Sequence, residues 1–324
     1  MLFFPYKADL EQWRLPLVTL LICALCLLVF AYQESRKIQL DASVIHFCST
    51  HQSKELDLAL GHLATVNRLD KDSLCLNMLR HVHNHEVPAE GLKMWAFYKR
   101  FDHVQYDEPT RAYIYDVFRQ HYDSFSVDAP VTITHRIWFS PDDIDVKRMI
   151  TSVFGHNDVM HLAVNLFFFF AFAATVELVV GGLSMLAAVV LLAILSNVFY
   201  AFISHMHGVF VPTLGLSGIV FGMMGMFICF MPQANVRCFL WFIVMFKRFA
   251  VPAWLITLGY VGWNLYDWFR YGQDSNVNFI VHIAGAAFGY LVGVSIFRIS
   301  KRRYLETRTV RSMNGKYATG QVYR

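Results

Sequence analysis

The chain has 324 residues, of which 56% are hydrophobic and 16% charged, and its mean hydropathy is +0.40. An ordinary soluble domain carries about a quarter charged residues, so the composition excludes that class and indicates a polytopic membrane protein. The net charge of +4 reads as a topology signal, not as a footprint for nucleic acid, which is not an expected partner.

Six apolar runs approach the roughly 20 residues that cross a bilayer: 15–32, 162–180, 183–203, 214–231, 251–268 and 279–299. They predict an all-α, six-transmembrane-helix bundle. Residues 1–14 set Asp9 and Glu11 beside Lys7 and Arg14, unlike a secretory leader, so the first run is expected to be a retained anchor. The tail 300–324 carries Lys301, Arg302, Arg303, Arg308, Arg311, Lys316 and Arg324 against Glu306. Basic flanks resist translocation, which places the tail in the cytoplasm and, with six spans, the N-terminus too. A bacterial inner membrane is the expected setting. The apolar stretch 238–246 is expected to lie along the interface as a short re-entrant piece.

Between the first two runs lies a polar insertion, 33–154, expected outside the membrane as a small, mainly helical domain. Ala112, Tyr115, Phe118 and Tyr122 recur there at helical spacing. Its two cysteines, Cys48 and Cys75, are able to form a disulfide in an oxidising compartment; the plainer alternative is two buried thiols. His81, His83 and His85 alternate as metal ligands on a strand would, but no Cys or carboxylate spacing completes a site. A solvated loop is the expectation, with no metal and no cofactor.

The approach to the second run reads RMITSVFGHNDVMHLAVN, 148–165. His161 and Asn165 are four apart and share a helix face, with His156 five residues earlier. Neutral donors at one membrane depth suit a developing oxyanion; interhelical hydrogen bonding is the plainer use. Glu177, near the far end of that run, is expected to cap the tight turn at Gly181 and Gly182 or to pair with a base.

The fourth run opens with Leu214, Gly215, Leu216, Ser217, Gly218, a serine between glycines in an apolar stretch. A polar side chain there is costly unless buried in protein and used. The sixth run carries His282 followed by Gly285, Gly289 and Gly293 at steps of three and four, and Gly218, Gly222 and Gly225 give the fourth a matching face. Small residues in register let helix backbones touch, and if these faces pack, Ser217 meets His282. A serine and an imidazole so placed suggest a nucleophile and its base. Asp267 and Asp274 fall in or beside the preceding loop and are left out of the chemistry, so the pair is expected to be a dyad.

These motifs resemble those of the rhomboid intramembrane serine proteases. The resemblance covers 148–299 and rests on His156, His161 and Asn165, on Gly215, Leu216, Ser217 and Gly218, and on His282, Gly285 and Gly289. It implies a rhomboid-like core over 155–299 with Ser217 as nucleophile and His282 as base. It further implies His161, Asn165 and the Ser217 N–H around the oxyanion, His156 supporting the cavity, and Gly215 letting the chain pass close by. Transmembrane protein substrates in the lipid bilayer would be the partners. Phe221 stands where the family commonly has an aromatic hydroxyl residue stacked on the imidazole, which keeps stacking and removes the hydroxyl. Lys147 replaces a Trp often found before the arginine matching Arg148. The rival readings are a catalytically silent rhomboid-like protein that binds or escorts membrane clients, and a transporter, which the near absence of charge within the runs disfavours.

Overall fold

The computed structural model describes residues 2–8, 15–50, 108–130, 132–232, 234–242, 245–271 and 278–298, with 54, 55, 57, 58, 75, 76 and 79. The histidines at 81, 83 and 85 and the tail 300–324 lie outside these. Helices are α1 (Leu17–Thr50), α2 (Glu108–Ser126), α3 (Thr134–Ile137), α4 (Val146–Thr151), α5 (Val159–Val180), α6 (Gly182–His207), α7 (Ser217–Phe230), α8 (Ala253–Tyr271) and α9 (Phe279–Ser295). Strands are β1 (Leu2–Ala8), β2 (Asn235–Phe242) and β3 (Met245–Pro252). Among the described residues α1, α5 and α6 are long and apolar enough to cross a membrane, and α7 and α9 are shorter apolar helices.

Each of the six apolar runs overlaps a helix, but α1 does not stop where its apolar run does. It continues to Thr50, about 51 Å at 1.5 Å per residue. No Gly or Pro interrupts 17–50, so the change of polarity near residue 33 marks a change of surroundings and supplies no helix stop.

The chain divides into two compact units, Ala31–Arg136 and the remainder. Residues 137–154 belong with the apolar core because Phe139 and Met149 are buried with Tyr200, Ala201, Ile280 and Val281. Within Ala31–Arg136, Leu40, Val44, Phe47, Phe118 and Phe125 are buried, and the Phe47 ring meets Phe125 edge-on. Of the residues expected on one face of α2, Phe118 is buried, Tyr122 half-buried and Ala112 exposed, and Val117 and Phe125 are buried as well. Cys48 and Cys75 form a disulfide across 27 residues.

The other unit packs α5 to α9 around a core that includes Phe169, Phe172, Leu192, Met223 and Phe227. Gly181, at φ 84°, turns the chain between α5 and α6, a backbone conformation that side chains resist. Among the described residues Glu177 does not pair with a base. Its carboxylate accepts hydrogen bonds from Val18 N (2.9 Å), Thr19 N (2.7 Å) and Thr19 Oγ1 (2.7 Å). The first turn of α1 has N–H groups with no intrahelical acceptor, and a buried acid at a helix N-terminus satisfies them while facing the positive end of the dipole.

An all-α fold is not what forms. β1, β2 and β3 make an antiparallel sheet in that order, and the stretch expected to lie along the interface is the β2–β3 hairpin, in which Cys238 pairs with Phe249. Its sequences NVRCFLWF and MFKRFAVP are rich in Val, Phe and Trp, which favour strands. The register of β1 on β2 shifts between Pro5 and Lys7, where proline's missing donor is tolerated.

Candidate active site

Ser217 is the first residue of α7, and the loop before it is tied down on several sides. Phe139 and Thr213 exchange backbone hydrogen bonds at 3.0 and 2.8 Å, and Gly215 N donates to Ser152 O at 2.9 Å. The segment holding Ser152 is itself anchored, since Asn197 Nδ2 donates to Met149 O at 3.1 Å. Gly215 has φ 125°, and a Cβ there would lie 2.9 Å from His161 Cε1 and 3.9 Å from Ser217 Oγ. Only glycine admits both that conformation and an imidazole so close to the backbone. The His161 ring and the Ser217 hydroxyl thus border the same space.

The facing helix begins with Asn278, whose side chain caps α9 by accepting from Val281 N at 3.2 Å. His282 follows in the first turn. α7 and α9 touch backbone to backbone: a Cβ on Gly285 would collide with Gly218 O, one on Gly289 with Gly222 O, and one on Gly225 with Ala286 O. That approach brings Ser217 Oγ to 2.7 Å from His282 Nε2. Phe221, one turn after the serine, lies flat on the imidazole with ring centroids 4.6 Å apart and planes 7° from parallel.

His161 lies in the first turn of α5, where Asp158 caps the helix by accepting from His161 N at 2.8 Å. Asn165 is buried one turn on and donates to His161 O at 2.9 Å. His156 is buried in the approach loop, its ring edge-on to His161 at 5.1 Å and its Nδ1 3.3 Å from Phe154 O. Burial first, and then neighbouring His161, pushes the His156 pKa down to about 4, so this imidazole is neutral at physiological pH.

The second nitrogen of His282 is engaged as well. Its Nδ1 lies 2.6 Å from Asn264 Oδ1, and Asn264 Nδ2 donates to Tyr260 O at 2.9 Å. Sequence reasoning missed Asn264 because it searched for a carboxylate near His282. The available signal was an amide in the apolar run 251–268, an intramembrane polar residue of the kind already counted in the other runs. Asp267 lies on the same helix three residues later. Asp274 is outside the described residues.

Residues 144–299 match the Rhomboid domain. That stretch, just under half of the chain, is similar to the rhomboid family. The chain is also 27% identical over 161 residues to Rhomboid protein 1, mitochondrial, of Saccharomyces cerevisiae; that stretch is 48% of this chain and 43% of the relative. The match therefore spans less than half the relative's length. With this match and its apolar helices, the protein is a multi-pass integral membrane protein. The relative's mitochondrial name lends no support to the bacterial membrane expected from the sequence.

Proposed function

We propose that this protein is an intramembrane serine endopeptidase that hydrolyses peptide bonds in or near the outer end of substrate transmembrane helices. The observation that carries the reading is the 2.7 Å contact between Ser217 Oγ and His282 Nε2, a nucleophile within reach of its base. His282 takes the hydroxyl proton as Ser217 attacks the scissile carbonyl, then returns it to the leaving amine. His161, Asn165 and the Ser217 N–H face the developing oxyanion, and His156 keeps the loop beside it in place. Water then releases the acyl group from Ser217.

In this reading α1, α5, α6, α7, α8 and α9 are six spans, and both termini lie on the side of the basic tail. The serine and histidine are then near the opposite face. The Cys48–Cys75 disulfide supports that orientation, since it belongs in an oxidising compartment. Substrates are proteins with a helix in the same bilayer, admitted laterally and unwound to expose a carbonyl.

The test is cleavage of a tagged single-span substrate in liposomes by wild type, Ser217→Ala and His282→Ala. Cutting by wild type alone, with both variants folded, is the expected result. Intact substrate in all three, across several substrate helices, would replace this reading with a client-binding rhomboid. Cleavage by Ser217→Ala would remove the serine from its role.

A further inference from the structure

We infer that Asn264 is a positioning residue that fixes the tautomer of His282, making the working unit a Ser217, His282, Asn264 relay. The inference rests on the protease reading above for its kinetic consequences, but the geometry stands on its own.

An amide presents either an acceptor or a donor, and which end faces the imidazole decides the matter. Asn264 Nδ2 is occupied by the Tyr260 carbonyl one turn earlier, at 2.9 Å. Oδ1 is therefore the atom turned to His282, 2.6 Å from Nδ1. An acceptor at that distance requires the proton to be on Nδ1. The lone pair of the neutral ring is then on Nε2, the nitrogen 2.7 Å from Ser217 Oγ, and the serine hydroxyl donates into it. With the tautomer reversed, the serine hydroxyl would turn to accept from Nε2 and lose its acceptor, and two lone pairs would oppose one another at Asn264. The base is thus held in its accepting form before substrate arrives.

The amide is held as firmly as the ring. Asn264 is buried, and Tyr260, whose carbonyl it grips, packs edge-on against Phe168 of α5 with centroids 5.1 Å apart. Phe221 closes one face of the imidazole. One ring is held by an acceptor, a hydroxyl and a stacked face, each from a different position in the fold. An uncharged acceptor performs this orientation without placing a carboxylate among apolar helices, where an ion is expensive. When His282 takes the serine proton, the Asn264 carbonyl dipole faces the new cation.

The test joins a spectroscopic readout to kinetics. In wild-type protein labelled with 15N-histidine, the His282 shifts should show a protonated Nδ1 and an unprotonated Nε2; in Asn264→Leu they should show both tautomers. On a single-span substrate Asn264→Leu should lose about 10- to 100-fold in kcat with KM nearly unchanged. Asn264→Asp, which keeps an acceptor, should recover turnover at high pH, with the acid limb of its profile moved up by about one pH unit because a carboxylate favours the imidazolium. Interhelical packing alone would lower stability in both variants and leave the tautomer and the pH limb in place, which would overturn the inference. So would an unprotonated Nδ1 in wild type. Wild-type kcat in Asn264→Leu, with Ser217→Ala inactive, overturns the relay and leaves the protease standing. An inactive wild type with a protonated Nδ1 keeps the tautomer and removes the protease.

Discussion

Gly285→Ala should separate the two residues that matter most while leaving every polar group in place. Its added Cβ would strike Gly218 O and stand 3.4 Å from Gly222 N. Both obstacles are backbone, so no side-chain rotation relieves the overlap. Carbon and oxygen reach ordinary contact near 3.5 Å, and α7 and α9 would have to part by roughly 1 Å. Added to the 2.7 Å between Ser217 Oγ and His282 Nε2, that displacement takes the pair beyond hydrogen-bond range. A misplacement of about 1 Å costs on the order of 100-fold in rate, and overpacking costs about 1–3 kcal/mol of stability. Two further glycines calibrate the argument. Gly293 would meet the Cys229 side chain at 3.1 Å and Met226 Cα at an ordinary 3.6 Å, and Gly262 nothing within 4 Å. Gly293→Ala should lose little, and Gly262→Ala should keep full activity and gain up to about 1 kcal/mol from helix propensity. Cleavage in liposomes and thermal unfolding of all three variants decide it. A Gly285→Ala protein with wild-type rate and stability, or a Gly262→Ala protein as damaged as Gly285→Ala, would refute the reasoning.

Two other expectations concern stability. Glu177→Ala should cost about 2–4 kcal/mol, because it leaves the Val18 and Thr19 donors without their acceptor in a buried place, and Glu177→Gln should cost less; thermal unfolding of the pair would show no such ordering if the cap were idle. His156 ties stability to pH. Its pKa is near 4 when folded against about 6.5 when unfolded, so its contribution is full above pH 6.5 and is lost as the pH falls from there towards 4. The ceiling on that loss is about 3 kcal/mol. Melting temperatures measured from pH 8 to pH 4.5 should fall less steeply for His156→Asn than for wild type, and parallel curves would discount the buried imidazole.

The parts of this molecule that could be read from the chain are those where a rare residue interrupts a monotonous background. Ser217 and His282 stand out because their runs are otherwise apolar, and the glycines beside them repeat at helical spacing. That pattern states which face packs, and so which polar groups share a depth. Helix ends were less legible. The α1 helix continues past its apolar run because polarity and helix propensity are separate properties, and nothing in 33–50 opposes a helix. The β2–β3 hairpin was missed because a run of four to eight apolar residues looks alike as strand or helix segment. The partner of Glu177 lies 158 residues away along the chain, a pairing that no local spacing encodes. Asn264 went unseen for a narrower reason: a carboxylate was sought where an amide does the work.

That last substitution follows from where the site lies. The polar side chains that border Ser217 and His282 include His161 and Asn264, both able to orient a proton without carrying a permanent charge. The buried acid of α5, Glu177, is at the opposite end of its helix, spent on the backbone of α1. A charge is tolerated there because three donors and a helix dipole meet it. Beside His282 no such set of donors is present among the described residues, and a carboxylate would have one imidazole to answer its whole desolvation cost. A neutral acceptor loses some stabilisation of the imidazolium and avoids that cost in the resting protein. The choice favours a ring that is aligned at all times over one that is more basic, which suits the proposed proton transfer because the serine hydroxyl is already 2.7 Å away.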